Sequence, residues 1–353
     1  MELDGRRAGN FRMNPPMKVA CIGAGYFSRF HYEAWARIAG VRPVAAVDRD
    51  IEKARATGLM AFDDVTAMLS DVQPDIIDII TPPETHLEFI RQAVAARPAV
   101  IICQKPFCQT LEDARAAVRL SQASGVPIVV HENFRFQPWY RAIRSEMDRA
   151  SLGDVLQLTF RLRPGDGQGP GAYLDRQPYF QKMPRFLVHE TAVHWIDTFR
   201  FLMGEPDRVF ADLRKMNPVI AGEDAGLILF SYPNGRRAVF DGNRLLDHAA
   251  TNTRCTMGEA LIEGTKGTLK LSGDGAVSLR QFGDLDGQEI LPPSTHDGFG
   301  GDCVYYLQNH VARALLSGGA LENRAEDYLP VIEAENAVYA SAKTGTWVQL
   351  RKE

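Results

Sequence analysis

"MKVACIGAGYFSRFHYEAWARIAG" (Met17 to Gly40) passes from a short apolar stretch through two glycines into a helical pattern. A strand that closes on glycines and opens a helix makes a cradle for an anionic group. Gly23 permits the tight turn, and Gly25 lets a pyrophosphate come close to the main chain. Ser28 stands where a third glycine would complete G-x-G-x-x-G. The helix starting near Tyr26 and Phe27 offers N–H groups and a positive dipole end. A second strand in "VRPVAAVDRD" ends at Asp48, at a distance suited to accept hydrogen bonds from a ribose. That carboxylate repels a 2′-phosphate and favours NAD over NADP; the neighbouring Arg49 guanidinium can stack on adenine or attract such a phosphate.

Downstream, strands read at "PDIIDII", "AVIICQ" and "VPIVVHENF", separated by helical patterns over Leu87 to Ala96 and "TLEDARAAVRLSQASG". Strand and helix in alternation predict an α/β unit, a doubly wound parallel sheet covered on both faces. After Phe136 the pattern changes. "DVLQLTFRLR" alternates Leu156, Leu158, Phe160 and Leu162 with polar residues, as a half-buried strand does. Further strands at "AGLILFSY", "RRAVFDG", "ALIEG", "GTLKL" and "AVSLRQF" are joined by turns such as "PNG". Helices near Cys303 to Leu316 and Ala325 to Lys343 close the chain. The expected organisation is a loose tail over 1–16, a dinucleotide-binding domain over 17–135, and an α+β domain over 136–353 with one open, mainly antiparallel sheet.

Composition removes several classes of function. A formal net charge of −4 over 353 residues supplies no basic footprint for nucleic acid or an anionic membrane. No apolar run of about 18 residues is present, and the charged, Pro-containing start lacks a signal-peptide centre, so a cytoplasmic protein is expected. Five scattered cysteines without CxxC spacing read as reduced thiols.

Titratable residues gather at strand ends and in one helix. "TPPETH" (Thr81, Pro82, His86) leaves a parallel strand at its carboxyl end, where α/β sheets bind ligands. "CQKPFC" brings Gln104 and Lys105 to the end of the next strand, where an ammonium group would stabilise a developing alkoxide. In "RFLVHETAVHWID", His189 and His194 are five apart, which rejects the zinc signature with histidines at i and i+4; no metal is expected. Glu190, His194 and Asp197 instead fall at i, i+4 and i+7, a carboxylate one turn from an imidazole whose basicity it would adjust. His189 reads as structural, and Asp197 as a cap or anchor. Asn133 and Arg135 face the expected domain junction, as candidate contacts to substrate or nicotinamide. Arg163, Tyr173 and Gln177 sit on or beside "RPGDGQGPGAY", a candidate lid over substrate.

The ordered set "IGAGYFS…H", "VDRD", "ITPPETH", "QKP", "HENFRFQP", "HETAVHWIDTFRFLMG", "EDAGLILFSYPNG", "IEGTKGTL" and "SAKTGTWVQL" resembles the glucose-fructose oxidoreductase, inositol dehydrogenase and MocA family from about Lys18 to the C-terminus. The resemblance implies a Rossmann domain joined to an open-sheet domain, and NAD(P)-dependent oxidation of a sugar, polyol or sugar acid. It further implies a homodimer or homotetramer through that sheet. Lys105 takes the place of the catalytic lysine of a Glu-Lys-Pro motif, ahead of a Pro106 peptide that is often cis. Glu190 and His194 take those of the aspartate and histidine of Asp-x-Gly-x-His. Gln104, Glu190 and Ala192 depart from the usual glutamate, aspartate and glycine. The competing functions are a non-catalytic dinucleotide sensor and an NAD-dependent glycosidase.

Overall fold

The structure, a computed structural model, describes residues 15–296 and 298–350. Most of the expected loose tail therefore lies outside the described residues. The first layer contains β1 (Met17–Ile22), α1 (Ser28–Arg37), β2 (Val41–Val47), α2 (Ile51–Ala56), β3 (Met60–Phe62), α3 (Val65–Val72), β4 (Ile76–Ile79), α4 (His86–Ala95), β5 (Val100–Gln104), α5 (Leu111–Ser124) and β6 (Ile128–His131). Its six strands are parallel in the order β3-β2-β1-β4-β5-β6. Every residue of β4, β5 and β6 is buried, because helices cover both faces of the sheet. Side-chain caps start three of these helices: Asp50 accepts from Glu52 N–H, Asp64 from Ala67 N–H and Thr110 from Asp113 N–H. β3 was not anticipated; three residues are too few to show a strand period.

The rest of the chain forms α6 (Pro138–Asp148), β7 (Val155–Leu162), α7 (Val193–Met203), β8 (Arg208–Arg214), β9 (Ala225–Ser231), β10 (Arg237–Asn243), β11 (Gly258–Gly264), β12 (Gly267–Leu271), β13 (Val277–Gln281), β14 (Gln288–Leu291), α8 (Cys303–Ser317), α9 (Ala325–Thr344) and β15 (Val348–Gln349). Nine strands make one sheet in the order β14-β13-β12-β11-β7-β10-β9-β8-β15. Its pairs are antiparallel except β7 with β10, which run parallel. Leu158, Phe160 and Leu162 of β7 point into the core as expected. Leu156 does not: it is half exposed near the strand end, where pairing with β11 slips a residue.

α7 lies on the inner face of this sheet, where Trp195 stacks on Phe160 with ring centroids 4.2 Å apart. α8 returns to the first layer and packs on α1, with Leu307, Val311 and Ala312 against Val19, Cys21 and Trp35. The loop ahead of α9 joins the same layer, since Val130 N–H donates to Asn323 O. The two sheets are thus tied by α7, α8 and the turn after β6. All five cysteines are free and buried, and among the described residues no helix is long and apolar enough to cross a membrane.

Phe160 touches both β10 and α7, so Phe160→Ala opens a cavity at the centre of the second core. It is expected to destabilise the protein by about 3–5 kcal/mol. A urea-denaturation midpoint unchanged from that of the parent protein would show that this contact is dispensable.

Candidate active site

The site is built at the carboxyl ends of the first sheet. Gly23 adopts φ +112°, and a Cβ there would come within 3.0 Å of the Ile80 main chain. Around Gly25 the opposite holds: a Cβ would meet nothing within 4 Å. The turn is therefore closed on the protein side and open outward, and no side chain caps α1 beyond it. Tyr26 and Phe27 stand at this mouth, Tyr26 well exposed beneath the Arg29 guanidinium. Ser28 Oγ donates to Gly25 O (2.7 Å), holding the loop as a third glycine could not. Asp48 at the end of β2 accepts from Ala24 N–H (2.9 Å) and Asp50 N–H (3.0 Å) and stays partly exposed, with Arg49 exposed beside it. A carboxylate keeps lone pairs beyond two such bonds. Open loop, uncapped helix and accessible carboxylate fit a dinucleotide.

Lys105 follows β5, and its peptide bond to Pro106 is cis. Its Nζ donates to Glu190 Oε1 (2.8 Å) and Glu190 O (2.7 Å). Glu190 belongs to a π-helical turn, Leu187–Ala192, that leads into α7, and such turns recur at functional sites. Leu187, Val193 and Ile196 anchor this segment in the core.

His194 differs from the sequence expectation. Its Nδ1 is 2.6 Å from Oε1 of Glu132, a fully buried carboxylate just past β6, and not on Glu190. Glu190 is drawn instead to the Lys105 ammonium, a stronger partner than an imidazole. The His194 ring lies flat on Phe134 (centroids 3.8 Å apart), and Nε2 makes no hydrogen bond to a described residue. Burial pushes the Glu132 carboxyl pKa up, but His194 and then the Lys105 ammonium outweigh it and hold it below its ordinary value. The Lys105–Glu190 ion pair and the His194–Glu132 hydrogen bond thus lie within electrostatic reach of each other.

Several other expected site residues have protein partners. Arg135 forms a buried pair with Asp197 through Nε (2.7 Å) and Nη2 (2.5 Å), so it anchors α7 and does not reach into the crevice. His86 is wholly buried between Phe107 O (2.9 Å) and Thr81 O (2.7 Å), so both ring nitrogens are taken up in a clamp between two loops. Thr81 and Pro82 form the turn it holds, with Thr85 Oγ1 donating to Thr81 Oγ1. Gln104 is buried and turned to the interior. Asn133 is buried at the start of the Phe134–Phe136 turn. Arg163 grips Asp241 of β10 (2.6 Å), and Tyr173 OH receives Arg244 Nε–H (2.8 Å), so both polar groups are taken up by protein partners. His189 pairs with Glu335 (2.7 Å), in keeping with its structural reading.

The sequence reading missed Glu132, Arg244, Asp166 and Tyr179. Buried Arg244 donates to Asp166 (2.8 Å) on the loop and to Thr191 Oγ1 (2.6 Å) beside Glu190, tying the loop to the turn that leads into α7. Tyr179, half exposed, receives Gln177 Nε2–H (3.0 Å). Partial burial and then the nearby Glu190 charge raise its hydroxyl pKa. Among the described residues no group of three or more His, Cys, Asp and Glu side chains is placed to hold a metal.

A family model described as the oxidoreductase family with an NAD-binding Rossmann fold matches residues 17–132, and the GFO/IDH/MocA C-terminal domain matches 140–270. A D-apiose dehydrogenase of Paraburkholderia graminis is 34% identical, over 95% of this chain and 90% of that protein. The chain belongs to the GFO/IDH/MocA oxidoreductase family. It is a dinucleotide-dependent dehydrogenase, an oxidoreductase acting on CH–OH groups. A D-apiose dehydrogenase of Rhizobium rhizogenes is 29% identical over 95% of this chain and 97% of its own. The crystal structure of an Agrobacterium radiobacter oxidoreductase in complex with NAD+, L-tartaric acid and magnesium superposes with TM-score 0.85, at 28% identity, covering 95% of this chain and 98% of that one.

Burial holds the pKa values of His86 and His131 below the ordinary 6.5, for His131 far below. Their unfolded forms take up protons that the folded forms refuse, so the stability they contribute is full above pH ~6.5 and declines as pH falls from there through the folded values. His131→Phe is expected to flatten the stability profile between pH 6 and 5 by about 1.4 kcal/mol per pH unit. Urea titrations at several pH values measure this; parallel profiles for the two proteins would refute the assignment.

Proposed function

We propose that the protein is an NAD-dependent sugar dehydrogenase whose His194 takes the proton of a substrate hydroxyl while Lys105 hydrogen-bonds the same oxygen. The observation that carries this reading is an ammonium and an imidazole, each backed by its own carboxylate, with Lys105 and Glu132 at the carboxyl ends of the same parallel sheet whose first strand runs into the open glycine turn. NAD, when bound, supplies the hydride acceptor. Gly23, Gly25, Tyr26 and Phe27 would border its phosphates, Asp48 its adenosine ribose and Thr81 with Pro82 its further course over the strand ends.

His194 Nδ1–H points at Glu132, so Nε2 carries the free lone pair and is the atom that receives the proton. Glu132, held ionised by its surroundings, stabilises the imidazolium that results. The ammonium of Lys105 stabilises negative charge on the oxygen as the proton leaves. Glu190 fixes that ammonium on two points and keeps it from turning away. Gln177 and Tyr179 stand over this pair and would border the sugar.

The D-apiose dehydrogenases among the relatives make D-apiose the first sugar to test, ahead of other aldoses, polyols and sugar acids. NAD is preferred over NADP on the strength of Asp48. Association into a homodimer or homotetramer is proposed through the outer face of the second sheet, where Leu227 and Leu261 are exposed, with the cytoplasm as compartment.

Lys105→Met is expected to lower kcat at least about a thousandfold while leaving the Kd for NAD within threefold, as a group acting mainly in the transition state should. Steady-state rates with NAD and the sugar panel, beside calorimetric NAD binding, test this. Turnover by Lys105→Met near that of the parent protein would remove the lysine from the mechanism. Asp48→Ser is expected to narrow the preference for NAD over NADP at least tenfold; an unchanged ratio of kcat/KM values would move that preference elsewhere.

A further inference from the structure

Behind Lys105 runs a chain of buried polar groups that substrate and dinucleotide would not touch. Lys105 N–H donates to Oε1 of Gln104 (2.7 Å), and Gln104 Nε2 is 3.0 Å from His31 Nε2. His31 Nδ1 is 2.8 Å from Oδ2 of Asp78, which also accepts from Trp35 Nε1 (2.8 Å) and Gln308 Nε2 (3.3 Å). Asp78, His31 and Trp35 are wholly buried and Gln104 nearly so.

The direction of every hydrogen bond in this chain follows from one end. A main-chain N–H can only donate, so the Gln104 oxygen must face Lys105 and its NH₂ group must face His31. His31 Nε2 is then the bare, accepting nitrogen, and Nδ1 carries the hydrogen directed at Asp78. The ring of His131, opposite Gln104 in the β5–β6 register, covers His31 at 4.1 Å and makes no hydrogen bond of its own to a described residue. Burial holds that ring in its neutral form, so it adds no charge beside the chain, and neither of its nitrogens bonds to a member of it.

We propose that Gln104, His31 and Asp78 are positioning residues that fix the main chain of Lys105 from the phosphate-end helix, and that the amide at 104 does so by donating to a Nδ1–H tautomer of His31. The relay joins α1, β4, β5 and α8, so the helix that opens the glycine turn and the lysine at the strand end are held to one buried carboxylate. A glutamate at 104 would keep the shape and the bond to Lys105 N–H. It would turn an acceptor toward the bare His31 nitrogen and break the sequence of donors. This inference rests on the reading of Lys105 as catalytic.

Gln104→Glu and the apolar Gln104→Met test it with ¹⁵N-histidine-labelled full-length protein. In the parent, the ring shifts of His31 are expected to show hydrogen on Nδ1 and a bare Nε2. In Gln104→Glu the Nε2 signal is expected to move to a hydrogen-bearing position. In Gln104→Met hydrogen exchange at the Lys105 amide is expected to quicken at least tenfold. With a sugar that the parent oxidises, both variants are expected to lose about tenfold in kcat, with KM for NAD within twofold, the scale of one buried hydrogen bond. A parent His31 with hydrogen on Nε2, an unmoved His31 signal in Gln104→Glu, or kcat equal to the parent in both variants would overturn the relay. Failure of the parent and Lys105→Met to differ in turnover would overturn the catalytic reading instead, while the ring and exchange measurements still judge the relay.

Discussion

A hydrogen bond inside the protein, from His194 to Glu132, holds the site together. A carboxylate with no exposure is strongly disfavoured unless a partner balances it, and removing one partner of such a pair leaves the other charge stranded. Glu132 meets that demand with the imidazole, the Phe134 N–H and the Tyr328 hydroxyl. Its main-chain carbonyl also receives Asn323 from the segment before α9. The end of β6, the first turn of α7 and the start of α9 therefore cannot separate without exposing this charge. The bond to Glu132 occupies Nδ1 of His194, so the constraint that joins the domains also leaves Nε2 as the nitrogen proposed to receive the proton.

Around that centre the second layer supplies supports and few reactive groups. Arg135 and Asp197 lock α7 from one side, and Arg244 holds its lead-in turn through Thr191 from the other. Arg244 also fastens the Gly-rich loop by Asp166 and Tyr173; its positive charge, with that of Arg176, depresses Asp166 against the effect of burial. The loop's glycines are held as well: Gly165 and Gly167 N–H donate to Leu246 O and Arg244 O, and buried Asn217 donates to Gly167 O and Gly169 O.

Features whose cause is local were legible in the sequence. Gly23, Gly25 and Asp48 are read from the order of strand, turn and helix, and Lys105 from its place at a strand end; each lies within one supersecondary unit. The alternation in β7 and the turns that follow it showed the change from a parallel to a mostly antiparallel sheet. Glu132 was hidden because nothing in "HENF" shows that its carboxylate meets an imidazole 62 positions later. Arg135, Arg163 and Tyr173 were placed near substrate for the same reason: a polar side chain at a domain junction looks available until Asp197, Asp241 or Arg244 is seen beside it. The pairing of Glu190 with His194, inferred from helical spacing, yielded to a cation brought in from another strand. Spacing records which groups can meet, whereas charge decides which do.

The two departures at 104 and 190 make sense together once the charges are counted. Lys105 contributes one positive charge, and Glu190 and Glu132 one negative charge each, so the resting cluster with a neutral His194 carries a single surplus negative charge. In the proposed reaction, a proton passed from the substrate to His194 would bring this count to zero. A carboxylate at 104 would add another negative charge behind Lys105. Glutamine keeps the same hydrogen bond without that charge. The longer arm of Glu190, relative to an aspartate, spans the gap to the ammonium and frees His194 to seek Glu132. Neutral amide and extended carboxylate are then two adjustments of one electrostatic arrangement, in which each reactive group has a single anionic partner of its own.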